Sequence, residues 1–168
     1  MKLDIQRIFP TSIFCFDDVL EQEYIDSMRD DIIKQSKINA EQRQANWQSV
    51  KNNKLYDLPK YKELGKMALN ACVKYIDLLE YKLDNIELTG MWSNILKPGE
   101  THSPHTHSNN LVSGVFYLQS NDNSPAITFI DPRPQTSVLQ PQAKEHTKEN
   151  STMYYYPAKV NRMVLFPS

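Results

Sequence analysis

Glycine is scarce in this chain. Gly65, Gly90, Gly99 and Gly114 are the only four in 168 residues. None stands in G-x-G-x-x-G or G-x-x-x-x-G-K, so there is no phosphate-cradling loop, which argues against a Rossmann or P-loop nucleotide enzyme. Cysteine is scarcer still. Cys15 and Cys72 lie far apart, neither has a C-x-x-C partner, and both are expected to be buried, reduced thiols. Charge of one sign is missing too. The net charge is -1 with acidic and basic residues interleaved, so the basic stripe that nucleic acid demands is absent. No apolar run approaches the roughly 20 residues of a membrane helix. Met1-Lys2-Leu3-Asp4-Ile5-Gln6 is charged and alternating, unlike a signal peptide. The expectation is a soluble cytoplasmic protein whose partners include neither nucleic acid nor membrane.

What is present reads as helices first and short strands later. Leu3 to Phe9 alternates and predicts a strand ended by Pro10, and Ser12 to Phe16 predicts a second. Leu20 to Lys37 has helical spacing, with Leu20, Tyr24, Met28 and Ile32 on one stripe, Ile25 and Ile33 beside it, and Asp17 or Asp18 as the cap. Asn39 to Tyr61 is polar and reads as a long loop, pinned by Trp47. Tyr61 to Lys82 predicts a helix burying Leu64, Ala68, Ala71, Tyr75 and Leu78 or Leu79.

From Ile86 the apolar period changes to two. Leu88, Gly90, Trp92, Asn94 and Leu96 face one way, and Thr89, Met91, Ser93 and Ile95 the other. Strands are predicted over Leu111 to Gln119, Ala126 to Ile130, Met153 to Tyr156 and Arg162 to Phe166. Strand alternation accounts for Tyr154-Tyr155-Tyr156. Ser113 and Gly114 are expected to permit close strand packing. The fold class is α+β, with helices buttressing an antiparallel sheet, sandwich or barrel. One domain is expected over 1–168, with strands and helices in 1–85 and the main strands in 86–168.

Three of the four histidines, His102, His105 and His107, fall within six residues. Residues i and i+2 of an extended chain face one side, so His105 and His107 can offer two imidazoles to one metal ion. A facial triad of two histidines and a carboxylate, or of three histidines, suits iron or zinc. The candidates for a third ligand are His102, Asp131 and His146. The competing reading of the cluster is a solvated polar loop between strands.

The chain also resembles a family of 2-oxoglutarate/Fe(II)-dependent oxygenases found in bacterial and phage genomes. The landmarks are Trp92-Ser93-Asn94, Pro98-Gly99, His105-Thr106-His107, Ser113-Gly114-Val115-Phe116-Tyr117-Leu118, Asp131-Pro132-Arg133 and Leu165-Phe166-Pro167-Ser168. Phe9-Pro10-Thr11 and Trp47-Gln48-Ser49 look like further ones. The resemblance implies a double-stranded β-helix (a cupin-like jelly roll) fronted by N-terminal helices. It implies Fe(II) held by His105 and by His107, the latter standing where many relatives have aspartate. It implies 2-oxoglutarate as cosubstrate and molecular oxygen as oxidant. The reaction would be hydroxylation of a C–H bond in an unidentified small-molecule or peptide substrate, with decarboxylation of 2-oxoglutarate to succinate. Asn94 and Tyr117 are expected to face inward as cosubstrate contacts, the bland alternative for Tyr117 being a buried ring bonded to backbone.

In this family a distal histidine and then a cosubstrate-binding arginine follow the Phe-Pro-Ser landmark. Neither is in these 168 residues. The expectation is a chain that lacks its last jelly-roll strands, one metal ligand and the main cosubstrate anchor, and is inactive as it stands. Two other readings compete. One is a non-catalytic jelly-roll module for binding or for a viral structure, which has no need of converging imidazoles. The other is a cupin-like metalloenzyme without 2-oxoglutarate, which needs a third ligand inside the chain.

Overall fold

A computed structural model describes residues 1–38, 47–49, 53–133, 138–139 and 141–168. The elements in chain order are β1 (Phe14–Phe16), α1 (Gln22–Ile38), β2 (Trp47–Gln48), α2 (Lys62–Leu78), β3 (Asn94–Ile95), β4 (Val112–Phe116), β5 (Ile127–Ile130), β6 (Met153–Tyr156) and β7 (Met163–Pro167). Two short 3-10 turns, Leu55–Asp57 and Pro59–Tyr61, lead into α2. The α+β class holds, and all strand pairing is antiparallel. The described strands form one three-stranded and two two-stranded sheets and close no barrel.

The chain divides into two compact units, Met1–Gln119 with Val160–Ser168, and Ser120–Lys159. In the first unit, β7 is the centre of the three-stranded sheet and β1 and β4 flank it. Phe14 and Gly114 both lie opposite Leu165, and Phe16 and Phe116 both lie opposite Met163. Opposed residues share a face, so Phe14, Phe16, Val112, Phe116, Met163 and Leu165 form one apolar surface. That surface joins Met28 and Ile32 of α1 and Leu64, Ala71 and Tyr75 of α2 in the core. Burying each large side chain there contributes about 1.5–3 kcal/mol. The other sheet face carries Cys15, Ser113, Val115, Val164 and Phe166.

Gly114 has a definite job in this sheet. A Cβ at this position would come within 2.5 Å of Leu165 Cδ2 and 3.2 Å of the Val164 carbonyl oxygen. The expected close strand approach is therefore present at Gly114. Both cysteines are free and half-buried, and burial pushes the Cys72 thiol up.

Several expectations are corrected. Leu3 to Phe9 forms no strand, and Leu3, Ile5, Ile8 and Phe9 are all exposed. Alternation supplied a pattern there, but no strand among the described residues supplies the ladder. Neither Asp17 nor Asp18 caps α1, which starts later, at Gln22. Asp17 instead pairs with Arg162 at 2.6 Å. Asn161, itself at φ 64°, holds the approach to α1. Its Oδ1 accepts the Leu20 N–H at 2.9 Å and its Nδ2 donates to the Leu20 carbonyl at 2.7 Å.

The buried residues of α1 are Ile25, Met28 and Ile32, while Tyr24 is exposed. At the end of α2, Leu78 is exposed, and Leu79, the residue after the helix, packs against the core. The long predicted strand from Ile86 shortens to β3, with Met91 and Ile95 turned to the core. The expected loop 39–61 lies partly outside the described residues. Its described part pairs with this segment through β2 and through Leu55 N–H to the Met91 carbonyl at 3.0 Å.

The second unit contains the β5–β6 hairpin, with Ile127 opposite Tyr156 and Ile130 opposite Met153. Met153, Tyr154 and Tyr155 are all exposed, so its tyrosine run does not show the expected alternation of burial. Lys148 Nζ sits 5.7 Å from the Tyr154 ring centroid, within cation–π range. No described helix is long and apolar enough to cross a membrane.

Candidate functional site

The histidine cluster lies between β3 and β4. Pro104 holds Ser103 out of helical backbone, and the Ser103 carbonyl accepts a hydrogen bond from His105 Nδ1 at 2.8 Å. After His107 the chain turns through Ser108-Asn109-Asn110. Asn109 takes φ 62°, a conformation asparagine tolerates better than most residues. Asn110 fixes the turn by donating to the Ser108 carbonyl at 3.0 Å and by bonding the Thr89 hydroxyl. This reversal brings Ser113, at the head of β4, back to His107. The Ser113 Oγ lies 2.6 Å from His107 Nδ1 and 2.7 Å from the Ser168 Oγ.

The outward-facing nitrogens of the two rings meet. His105 Nε2 and His107 Nε2 are 3.1 Å apart. The Trp92 ring stands edge-on to His107, with centroids 5.7 Å apart and planes at 86°. Burial pushes the His107 imidazole down from its ordinary value, and the nearby His105 adds to this. Both effects favour the neutral form of His107, the form a metal ligand requires.

The third histidine stands apart from this pair. The His102 and His105 ring centroids are 6.4 Å apart, and His102 Nε2 is buried with no hydrogen-bond partner among the described residues. Asp131 belongs to the second unit, where Arg133 Nε donates to its Oδ1 at 3.0 Å and to its Oδ2 at 3.2 Å. The Arg133 guanidinium holds the Asp131 carboxyl down at about 2. His146 is exposed, also in the second unit. Among the described residues, no three His, Cys, Asp or Glu side chains gather as a metal-holding group. Neither the facial triad nor the three-ligand cupin-like set is assembled there.

Asn94 is exposed, on the face of its strand that also carries Trp92. Tyr117 continues the alternation of Ser113 and Val115, so it shares their sheet face. Its N–H donates to the Arg162 carbonyl at 3.1 Å, and its carbonyl accepts from the Asn161 N–H at 2.9 Å. Burial pushes the Tyr117 phenol up, and the charge of Arg162 partly offsets this.

Two contributors were missed in the sequence, Ser113 and Ser168. Ser113 reads as a packing residue beside Gly114, and Ser168 as part of a landmark. The available signal was strand parity. Ser113, Val115 and Tyr117 share one face, and Ser113 is its polar member nearest the histidines.

Comparison with known proteins then bears on this geometry. Residues 90–168 match the family described as "Putative 2OG-Fe(II) oxygenase". The matched segment is just under half of the 168 residues and contains both converging histidines, Ser113 and Ser168. No curated protein matches the chain.

The family's description implies Fe(II) and 2-oxoglutarate. Two nitrogens bound at right angles to one ion, each about 2.0–2.1 Å from it, are about 3 Å apart. The 3.1 Å separation of the two Nε2 atoms has that bite. In length, the His105–His107 separation matches two neighbouring positions of a metal ion.

Proposed function

We propose that this chain belongs to an Fe(II)- and 2-oxoglutarate-dependent oxygenase of jelly-roll architecture, whose reaction is hydroxylation of a C–H bond in a small-molecule or peptide substrate. The observation that carries this reading is the convergence of His105 Nε2 and His107 Nε2. The family match over 90–168 supports it. Iron, when bound with 2-oxoglutarate, supplies the oxygen chemistry; the protein's part is to hold and orient. His105 and His107 are two of its ligands. Backbone anchorage at Ser103 aims the first ring, and Ser113 and Trp92 aim the second. Asn94 and Tyr117 are proposed as contacts to the cosubstrate, each on the sheet face that also carries a residue touching His107.

The test is anaerobic titration of the chain with Fe(II) and 2-oxoglutarate, followed by the weak visible charge-transfer band of the chelate. A saturable band that is lost in His105→Ala and His107→Ala is the expected result. With two histidine donors assembled, saturation should need high metal concentration. No band at any Fe(II) concentration would overturn the reading, and the cluster would then be a solvated loop.

A further inference from the structure

The five groups Ser168, Ser113, His107, His105 and Ser103 form one continuous hydrogen-bonded line. Its links are 2.7 Å between the two hydroxyls, 2.6 Å from Ser113 Oγ to His107 Nδ1, 3.1 Å between the two Nε2 atoms and 2.8 Å from His105 Nδ1 to the Ser103 carbonyl. One end of this line has no freedom. A carbonyl oxygen only accepts, so His105 Nδ1 carries a proton and donates it to Ser103. In neutral His105 the Nε2 is then a bare acceptor.

That condition propagates. With no metal between the rings, the 3.1 Å contact needs one proton, and it sits on His107 Nε2. His107 Nδ1 is then bare and accepts from the Ser113 hydroxyl, which in turn accepts from Ser168. A metal ion bound to both rings requires both Nε2 atoms bare. His107 must then carry its proton on Nδ1, and its partner must accept. A hydroxyl is able to do either by rotating, whereas a carboxylate or a carbonyl is not.

We propose that Ser113, backed by Ser168, is a reversible tautomer clamp on His107. Without metal the clamp runs from Ser168 through Ser113 to His107. With metal this half runs the other way, from His107 through Ser113 to Ser168. The N–H bond at Nε2 breaks and one at Nδ1 forms, exchanging with water, and the ring stays neutral throughout. His105 needs no such change, because the Ser103 carbonyl presets it. Ser113 and Ser168 are positioning residues, since they touch a ligand and not the metal. The inference rests on the proposed role of His105 and His107 as metal ligands.

Imidazole 15N shifts read the tautomers directly, using Zn(II) as a diamagnetic probe. Without metal, His105 should be the Nδ1–H tautomer and His107 the Nε2–H tautomer. With Zn(II), both should be Nδ1–H. Ser113→Ala should weaken Zn(II) binding about 10–100-fold, the usual effect of losing an outer partner. Ser113→Thr, which keeps a hydroxyl, should restore it to within about threefold, and Ser168→Ala should give a smaller loss than Ser113→Ala. Melting curves check that the variants are folded. His107 already in the Nδ1–H form without metal, or wild-type Zn(II) affinity in Ser113→Ala, would overturn the clamp. Failure of the wild-type chain to bind Zn(II) or Fe(II) would instead overturn the metal-site reading beneath it. The metal-free tautomers distinguish the two failures.

Discussion

The phenol of Tyr61 donates a hydrogen bond to the Asp31 carboxylate at 2.7 Å, joining α1 to the turn that opens α2. Gln35 donates to the same oxygen at 2.6 Å, and Lys60 Nζ lies 3.6 Å from the other. Burial raises the Asp31 carboxyl, but these hydrogen bonds and the lysine charge outweigh it, and the net shift is downward. Burial, then the bond to Asp31, drives the Tyr61 phenol well above its ordinary range.

A carboxyl held below its unfolded value stabilises the fold above the ordinary carboxylate range. That contribution is lost as pH falls through the depressed folded value. Asp31→Asn should therefore lower stability at neutral pH by about 1–2 kcal/mol. It should also flatten the fall in Tm below about pH 4. Thermal melts of both proteins across that range are the check, and equally steep acid limbs would contradict the assignment.

Gly114→Ala tests the sheet. The new methyl meets Leu165, which is only 3% exposed and has little room to move. A loss of about 1–3 kcal/mol is expected, as for other overpacked cores. Urea unfolding measures it. An unchanged midpoint would mean that β4 and β7 separate freely.

Asn161 holds Leu20 through two hydrogen bonds at a positive φ. Asn161→Ala should cost about 1–3 kcal/mol, because it removes both bonds and keeps a side chain in a left-handed conformation. Asn161→Gly should cost less, since glycine accepts that backbone freely. If the alanine variant proves no worse than the glycine variant, backbone conformation contributes nothing there.

The histidines should separate in a metal titration. His105→Ala and His107→Ala should each weaken Zn(II) binding by more than the roughly 10–100-fold expected for an outer partner. His102→Ala should change it by less than about threefold, since His102 lies outside the pair. Calorimetry gives all three. A large loss in His102→Ala would make it the third donor.

Much of this fold was legible where period and length agree. The helix predicted over Tyr61 to Lys82 is present as α2, ending four residues early at Leu78, and the strand predicted over Met153 to Tyr156 is β6 without shift. Legibility failed where tertiary context decides. Leu3 to Phe9 has strand alternation but no partner strand among the described residues. Leu78 and Leu79 are adjacent and equally apolar, yet only Leu79, the residue that follows α2, packs against the core. Neither Asp17 nor Asp18 caps α1, and the approach to the helix is held from 141 positions away, by the two bonds of Asn161 to Leu20.

The site divides in the same way. The i, i+2 spacing of His105 and His107 suggested convergence, and the two nitrogens do meet. The Ser113 partnership depends on the reversal at Asn109. Strand parity alone left its direction open.

The three-stranded sheet has its middle strand, β7, drawn from residues 163–167, while its outer strands begin at residues 14 and 112. During synthesis, β1 and β4 therefore leave the ribosome with no common partner, and their apolar faces must wait. Helices α1 and α2 are complete long before, but the surface they cover is completed only when Met163 and Leu165 join Phe14, Phe16, Val112 and Phe116. Contacts this distant in sequence slow folding. Nascent chains stopped just short of Met163 should thus expose the helix faces to chaperones, and chains in which β7 has emerged should not.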